Sequence, residues 1–274
     1  MLSKVKRKLA EFMRYQAELG SRGPEVMSRL DALASAVAQL QPPPSSAPTG
    51  PSGAESFSQC GEDRLVAFIL RIAGHEGPVR YADIGAAHPV YDNNTYLFRK
   101  AGGSGLLVEA DPDYLPEYRH HRPGDAVEQV AVVPERLAHQ DSITFYAMED
   151  RGWSSISPEH SALAEALGKG GVRREFSVRC ATINTLLGRH FADGRIDLLS
   201  LDVEGLDAEL LGELDFGRFA PKVIIVENDA EDCATGRAAA STVEMMRGKG
   251  YVFFGYTFVN TIYASRALLE AARF

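Results

Sequence analysis

This sequence predicts a doubly wound α/β sheet closed by an antiparallel hairpin and preceded by a separate helical segment. Three observations carry that prediction. The runs Ile196-Asp197-Leu198-Leu199-Ser200-Leu201 and Val223-Ile224-Ile225-Val226 are almost continuously apolar, as parallel strands covered on both faces must be. Val79-Arg80-Tyr81-Ala82-Asp83-Ile84 meets a turn at Gly85-Ala86-Ala87, and Leu106-Leu107-Val108-Glu109-Ala110-Asp111 follows. That is the order of a buried strand, a glycine turn, a helix and a second buried strand ending in an acid. Lastly, Tyr251-Val252-Phe253-Phe254 and Val259-Asn260-Thr261-Ile262-Tyr263 are close enough in the chain to pair antiparallel.

The elements follow from the apolar spacing. A helix is expected over 61–73, burying Leu65, Val66, Phe68, Ile69 and Ile72. Strands are expected at 79–84, 105–109 and 127–133. An excursion comes next, with a strand from Ser142 to Met148, a loop at Trp153-Ser154-Ser155-Ile156-Ser157 and a helix from Pro158 to Leu167. A strand from Glu175 to Cys180 and a helix from Ile183 to Phe191 lead into the strand Ile196–Leu201. A helix over Leu206–Leu214, the strand Lys222–Val226, a helix over 237–248 and strands at 250–255 and 258–264 complete the pattern.

The chain divides near residue 41. Gln41 to Gly53 contains Pro42, Pro43, Pro44, Pro48 and Pro51 among small residues, a composition that extends rather than folds. Residues 41–55 therefore read as a linker, with 56–274 as the main domain. Upstream, Leu2, Val5, Leu9, Phe12 and Leu19 form one apolar stripe, and Val26, Leu30, Leu33, Val37 and Leu40 another. Stripes this short are marginal alone in water, so 1–40 reads as a coiled-coil-like segment for homo-oligomers or docking, against a nascent tail.

Composition excludes some functions. The formal charge of −8 gives no basic footprint for nucleic acid. Cys60, Cys180 and Cys233 are odd in number and widely spaced, which fits neither a disulfide framework nor a zinc cluster. No apolar run approaches the ~20 residues of a membrane span. A cytoplasmic protein is the expectation.

The chemistry concentrates at strand ends. In Asp83-Ile84-Gly85-Ala86, Gly85 would let the backbone approach a ligand. A dinucleotide site would place glycines at two further positions, where this chain has Ala87 and Val90. A ligand without pyrophosphate, such as S-adenosylmethionine, is favoured over NAD. Glu109 is placed to accept from a ribose diol, and Asp111 or Pro112 to flank adenine; the alternative is a helix N-terminal acid favouring the local dipole. Asp202-Val203-Glu204-Gly205 and Glu227-Asn228-Asp229 put further acids on the same rim.

The ordered strings Ser58-Gln59-Cys60-Gly61-Glu62-Asp63, Asp83-Ile84-Gly85-Ala86-Ala87-His88-Pro89 with Asn93-Asn94-Thr95-Tyr96, and Val108-Glu109-Ala110-Asp111-Pro112 resemble the FkbM family of S-adenosylmethionine-dependent methyltransferases. Thr182-Ile183-Asn184-Thr185-Leu186-Leu187 and the run from Ile196 to Gly205 extend the likeness, which covers 56–264. Asn184 departs from an acid often found there. The resemblance implies a class I methyltransferase, Rossmann-like fold and O-methylation of a hydroxyl on a sugar, glycan or secondary metabolite. It implies a methyl donor held against Asp83, Gly85, Ala86, Glu109, Asp111 and the stretch from Gln129 to Ala131, with Ser58 and Gln59 closing over its amino-acid end.

Removing the hydroxyl proton calls for a base. Asp202 leads, followed by His88 and then Glu204; for His88 the competing reading is a structural histidine bonding a loop carbonyl. Asp202, Glu227 and Asn228 also resemble the magnesium site of metal-dependent O-methyltransferases, and hard oxygen ligands suit Mg²⁺ or a similar divalent cation. Trp153 reads equally as a sugar-stacking ring or a loop anchor. Two other classes stay open, an NAD(P)-binding enzyme and a non-catalytic scaffold with a helical docking module.

Overall fold

The computed structural model describes residues 55–228 and 240–271. The expected N-terminal helices, most of the linker and the first turn of the helix expected over 237–248 lie outside the described residues.

The main sheet has seven strands. In chain order they are β1 (Arg80–Ile84), β2 (Ser104–Val108), β3 (Ala126–Glu128), β7 (Leu198–Leu201), β8 (Val223–Glu227), β9 (Tyr251–Tyr256) and β10 (Asn260–Ser265). Their spatial order is β3-β2-β1-β7-β8-β10-β9. Pairings from β3 to β8 are parallel, and β10 runs antiparallel to both β8 and β9. The expected hairpin is therefore present, with its second strand inserted next to β8. The chain order reverses between β1 and β7, the switch point where ligands of such sheets bind.

Helices cover both faces. On one, α1 (Glu62–Ile72), α2 (Tyr96–Lys100), α3 (Leu115–His121) and α8 (Arg266–Glu270) bury Val66, Ile69, Phe98, Tyr118 and Leu268 against Tyr81, Leu107, Leu198, Val223, Ile225 and Ile262. On the other, α5 (Ile183–His190), α6 (Asp207–Glu213) and α7 (Ala240–Gly248) bury Leu186, Leu187, Leu210, Leu211 and Met246 against Ile84, Leu199, Leu201, Ile224 and Val226. Odd and even positions of β8 thus serve opposite layers, which explains its unbroken apolar run. Each fully buried Leu or Ile contributes about 1.5–3 kcal/mol.

Phe68 of α1, expected on the buried face, is exposed, and one strand also departs from expectation. The strand expected over 127–133 is two strands, β3 and β4 (Ala131–Val132). β4 leaves the main sheet and pairs with β6 (Val172–Ala181), which pairs with β5 (Ser142–Met148). The excursion is thus a second, three-stranded sheet carrying α4 (Pro158–Ala166), with its own core of Ala110, Ala131, Phe145, Ala147 and Val178. The apolar pattern at Val130-Ala131-Val132-Val133 satisfies either sheet, so it does not reveal the break.

Candidate active site

The glycine turn closes the carboxyl end of β1. Gly85 has φ +79°, and a Cβ there would sit 1.8 Å from the Asp202 carbonyl oxygen. The backbone of the β7 end lies against this residue, so no side chain fits there. The turn's amides are also used internally. Gly85 and Ala86 N–H both donate to the Val108 carbonyl, and Ala87 N–H donates to Glu109 Oε2 at 2.9 Å.

Glu109 is 7% exposed and takes one backbone N–H on each oxygen, from Ala87 and from Asp111 at 2.7 Å. Burial raises its pKa to about 7, against the lowering effect of those two bonds. Each oxygen keeps a second lone pair, so a diol can still be accepted. Gln59 is buried just before α1, and its Oε1 has no hydrogen-bond partner. Gln129 lies beside the same strand end, its Nε2 donating to the Ala110 carbonyl at 3.3 Å.

Several residues expected at the methyl donor have protein partners. Asp83 is buried and accepts from Thr95 Oγ1 at 2.7 Å and Asn93 Nδ2 at 3.1 Å, so it secures the loop after the turn. Burial shifts its pKa upward, opposed by Arg122 and those donors. Ser58 is tied to Asp63, which also accepts from Ser56 and the Phe57 N–H at the start of α1. Asp111 caps the short 3-10 turn at Pro112–Tyr114 and pairs with Arg151, Arg173 and Arg174. Ala131 belongs to the small sheet and packs into its core.

His88 is corrected on chemical grounds. Its Nδ1 accepts from the Val90 and Tyr91 N–H groups at 3.1 and 3.0 Å. The neutral ring then carries its proton on Nε2 and has no free lone pair for a hydroxyl proton. His88 thus holds its own loop, but by accepting from two amides and not by donating to the loop carbonyl expected.

The acids at the ends of β7 and β8 converge. Asp202, Glu204 and Glu227 each offer a carboxylate oxygen, and these atoms lie within 4.8 Å of one another. Asn228, expected as the third oxygen ligand, is buried with its Oδ1 accepting from Thr261 Oγ1 at 2.5 Å. Alternation along a strand turns consecutive residues to opposite faces, and Thr261 sits opposite Val226 while Asn260 sits opposite Glu227. Glu204 takes the third place.

Glu204 has φ +57°, a left-handed conformation that costs a non-glycine residue on the order of 1–3 kcal/mol. Its neighbours hold it there. Asp207 accepts from Val203 N–H at 2.9 Å and Gly205 N–H at 3.3 Å, and Ser155 Oγ donates to the Glu204 carbonyl at 2.9 Å. Burial, then Glu227 and Glu204, raise the Asp207 pKa to about 7, while its two backbone bonds lower it.

Sequence reasoning missed His160. This α4 residue lies 3.3 Å from Glu204 Oε2 through Nε2, and its ring stacks on Trp153 at 5.4 Å. Burial alone would lower its pKa; Glu204, with Glu227 and Asp207, outweighs this and the net shift is upward. Trp153 is buried, so it anchors the excursion instead of facing an acceptor. Only Ser157-Pro158, the start of α4, signalled that a helix would carry His160 to this rim.

The strand order, the switch point and the acid at the end of β2 together define a class I methyltransferase fold. The chain belongs to the FkbM methyltransferase family, since the model of the methyltransferase FkbM domain matches residues 83–253, more than half of its length. Among solved structures it is similar to the 1,6-didemethyltoxoflavin-N1-methyltransferase of Burkholderia thailandensis, which was solved with 1,6-didemethyltoxoflavin and S-adenosylhomocysteine. Identity is 11% over 75% of this chain and 77% of that one, with a TM-score of 0.35. A presumed O-methyltransferase from Klebsiella pneumoniae is similar at 13% identity over 78% of this chain and 83% of that one, also with a TM-score of 0.35. No curated protein matches the chain. No helix among the described residues is long and apolar enough to cross a membrane.

Proposed function

We propose that this methyltransferase uses S-adenosylmethionine to methylate a hydroxyl of a sugar, glycan or secondary metabolite. The rim formed by Asp202, Glu204 and Glu227, which lies next to Gly85 through the Asp202 backbone, carries the reading. The residues fit the donor. Glu109 has a lone pair on each oxygen for a ribose diol, and Gln59 Oε1 is a buried acceptor awaiting a donor. A dinucleotide fits poorly, because the amides a pyrophosphate would need at Gly85, Ala86 and Ala87 are already bonded.

When bound, the donor supplies an electrophilic methyl group on a sulfonium. Asp202 accepts the proton of the acceptor hydroxyl as that oxygen becomes nucleophilic. Glu204 is held by His160, which tempers the negative charge of the rim. The three carboxylates also suit a divalent cation such as Mg²⁺, which would lower the hydroxyl pKa and share the work of the base.

Methyl transfer from radiolabelled S-adenosylmethionine to a panel of hydroxyl acceptors tests the activity. Thermal stabilisation by NAD but not by S-adenosylhomocysteine would overturn it. Full activity after exhaustive EDTA, with no response to added Mg²⁺, would remove the metal. Residues 1–40 serve as a self-association segment. Deleting 1–53 is expected to lower oligomer size in light scattering, and an unchanged size would refute that role.

A further inference from the structure

Asn260 has no part in the reading so far, yet it stands beside the acid rim. It opens β10 directly opposite Glu227 of β8. Opposite residues of an antiparallel pair share a face, with Cβ atoms about 4.5–5.5 Å apart. Asn260 is 2% exposed, and its Oδ1 has no hydrogen-bond partner.

The amide cannot simply be turned over. Asn260 Nδ2 donates to Glu62 Oε1 at 3.0 Å, and a flip would put oxygen against a carboxylate. Glu62 is itself fixed by Thr257 Oγ1 at 2.6 Å and by the Cys60 N–H at 2.8 Å. The lone pairs of Oδ1 are therefore aimed by a network anchored at the start of α1. A buried acceptor left unsatisfied costs about 1–3 kcal/mol, which a ligand donor would relieve.

We propose that Asn260 is a specificity-determining residue whose Oδ1 accepts from a second donor group of the methylated molecule, next to the reacting hydroxyl. The inference rests on the reading above and narrows it. Asp202, Glu204, Glu227 and Asn260 Oδ1 present acceptors only, so the favoured substrate is rich in donors. A polyol such as a sugar, with hydroxyls on adjacent carbons, meets both groups at once.

The test compares methyl glycosides with their mono-deoxy counterparts as acceptors for radiolabelled S-adenosylmethionine, using the full chain and Asn260→Ala. The full chain is expected to prefer the intact diol by at least about tenfold in kcat/KM, the worth of one buried hydrogen bond. In Asn260→Ala that preference collapses toward one, while the Kd for S-adenosylhomocysteine is unchanged. Equal use of diol and deoxy acceptors by the full chain overturns the proposal even if the variant fails to fold. Weakened S-adenosylhomocysteine binding in the variant also overturns it, by assigning Asn260 to the donor. Transfer to amines but to no hydroxyl overturns the O-methylation reading alone, and amino alcohols against their deoxy forms then report on Asn260. Methylation of nothing in the panel overturns the polyol class.

Discussion

The ends of β1 and β2 and the ends of β7 and β8 share one rim but are built on opposite plans. At the first pair, polar groups are satisfied from within: Gly85 and Ala86 donate to Val108, Ala87 to Glu109, and Thr95 and Asn93 to Asp83. At the second, three carboxylates crowd within 4.8 Å, one on a residue at positive φ, with Asp207 buried behind them. The first end is closed by its own hydrogen bonds, while the second gathers carboxylates, one of them paired with His160. Like charges this close need a proton, a cation or a bound donor group to be comfortable.

The strongest way to break the contrast is Gly85→Ala, because the two ends meet there. Its Cβ would fall 1.8 Å from the Asp202 oxygen at φ +79°, with backbone on both sides. A loss of more than about 3 kcal/mol is expected in chemical denaturation. A small loss would mean the ends can part. Next comes Asp202→Asn. Methyl transfer is expected to fall by roughly 10²–10⁴-fold, with S-adenosylhomocysteine affinity kept and the melting temperature equal or higher. A lower melting temperature would mean that Asp202 supports the fold and that the rim carries no stored repulsion.

Titration separates the ends further. Donor binding that needs Glu109 ionised weakens as pH falls below its pKa of about 7, approaching tenfold per unit. Calorimetry at pH 5.5 and 8 checks this, and Glu109→Gln should flatten the profile. Asp207 acts on stability instead. Its folded pKa of about 7 lies above the ordinary 3.8, so its contribution is full below about pH 4 and is lost as pH rises through 7. Mg²⁺ should therefore raise the melting temperature more at pH 8 than at pH 5.5, and an equal response would argue against a cation at the rim. The smallest effect belongs to Ser155→Ala, which removes the bond to the Glu204 carbonyl and should cost about 1 kcal/mol by thermal denaturation.

Much of this was legible in the sequence. The apolar runs of β7 and β8 imposed a parallel centre, and the position of Glu109 after the glycine turn placed it at the end of β2. The misses have physical causes. Glu227-Asn228 looked like two ligands, although strand alternation was enough to turn Asn228 to Thr261. His160 reaches Glu204 only through the second sheet, and no local pattern encodes a contact between residues so far apart in the chain. The division of 127–133 between two sheets was hidden because both demand the same apolar residues.

At Gly85 the turn after β1 abuts the carbonyl of Asp202. Because bare backbone meets bare backbone there, the glycine turn and Asp202 travel as one body, with no side chain to act as a bearing. A change that shifts Asp202 therefore also shifts the turn that holds Ala87 against Glu109.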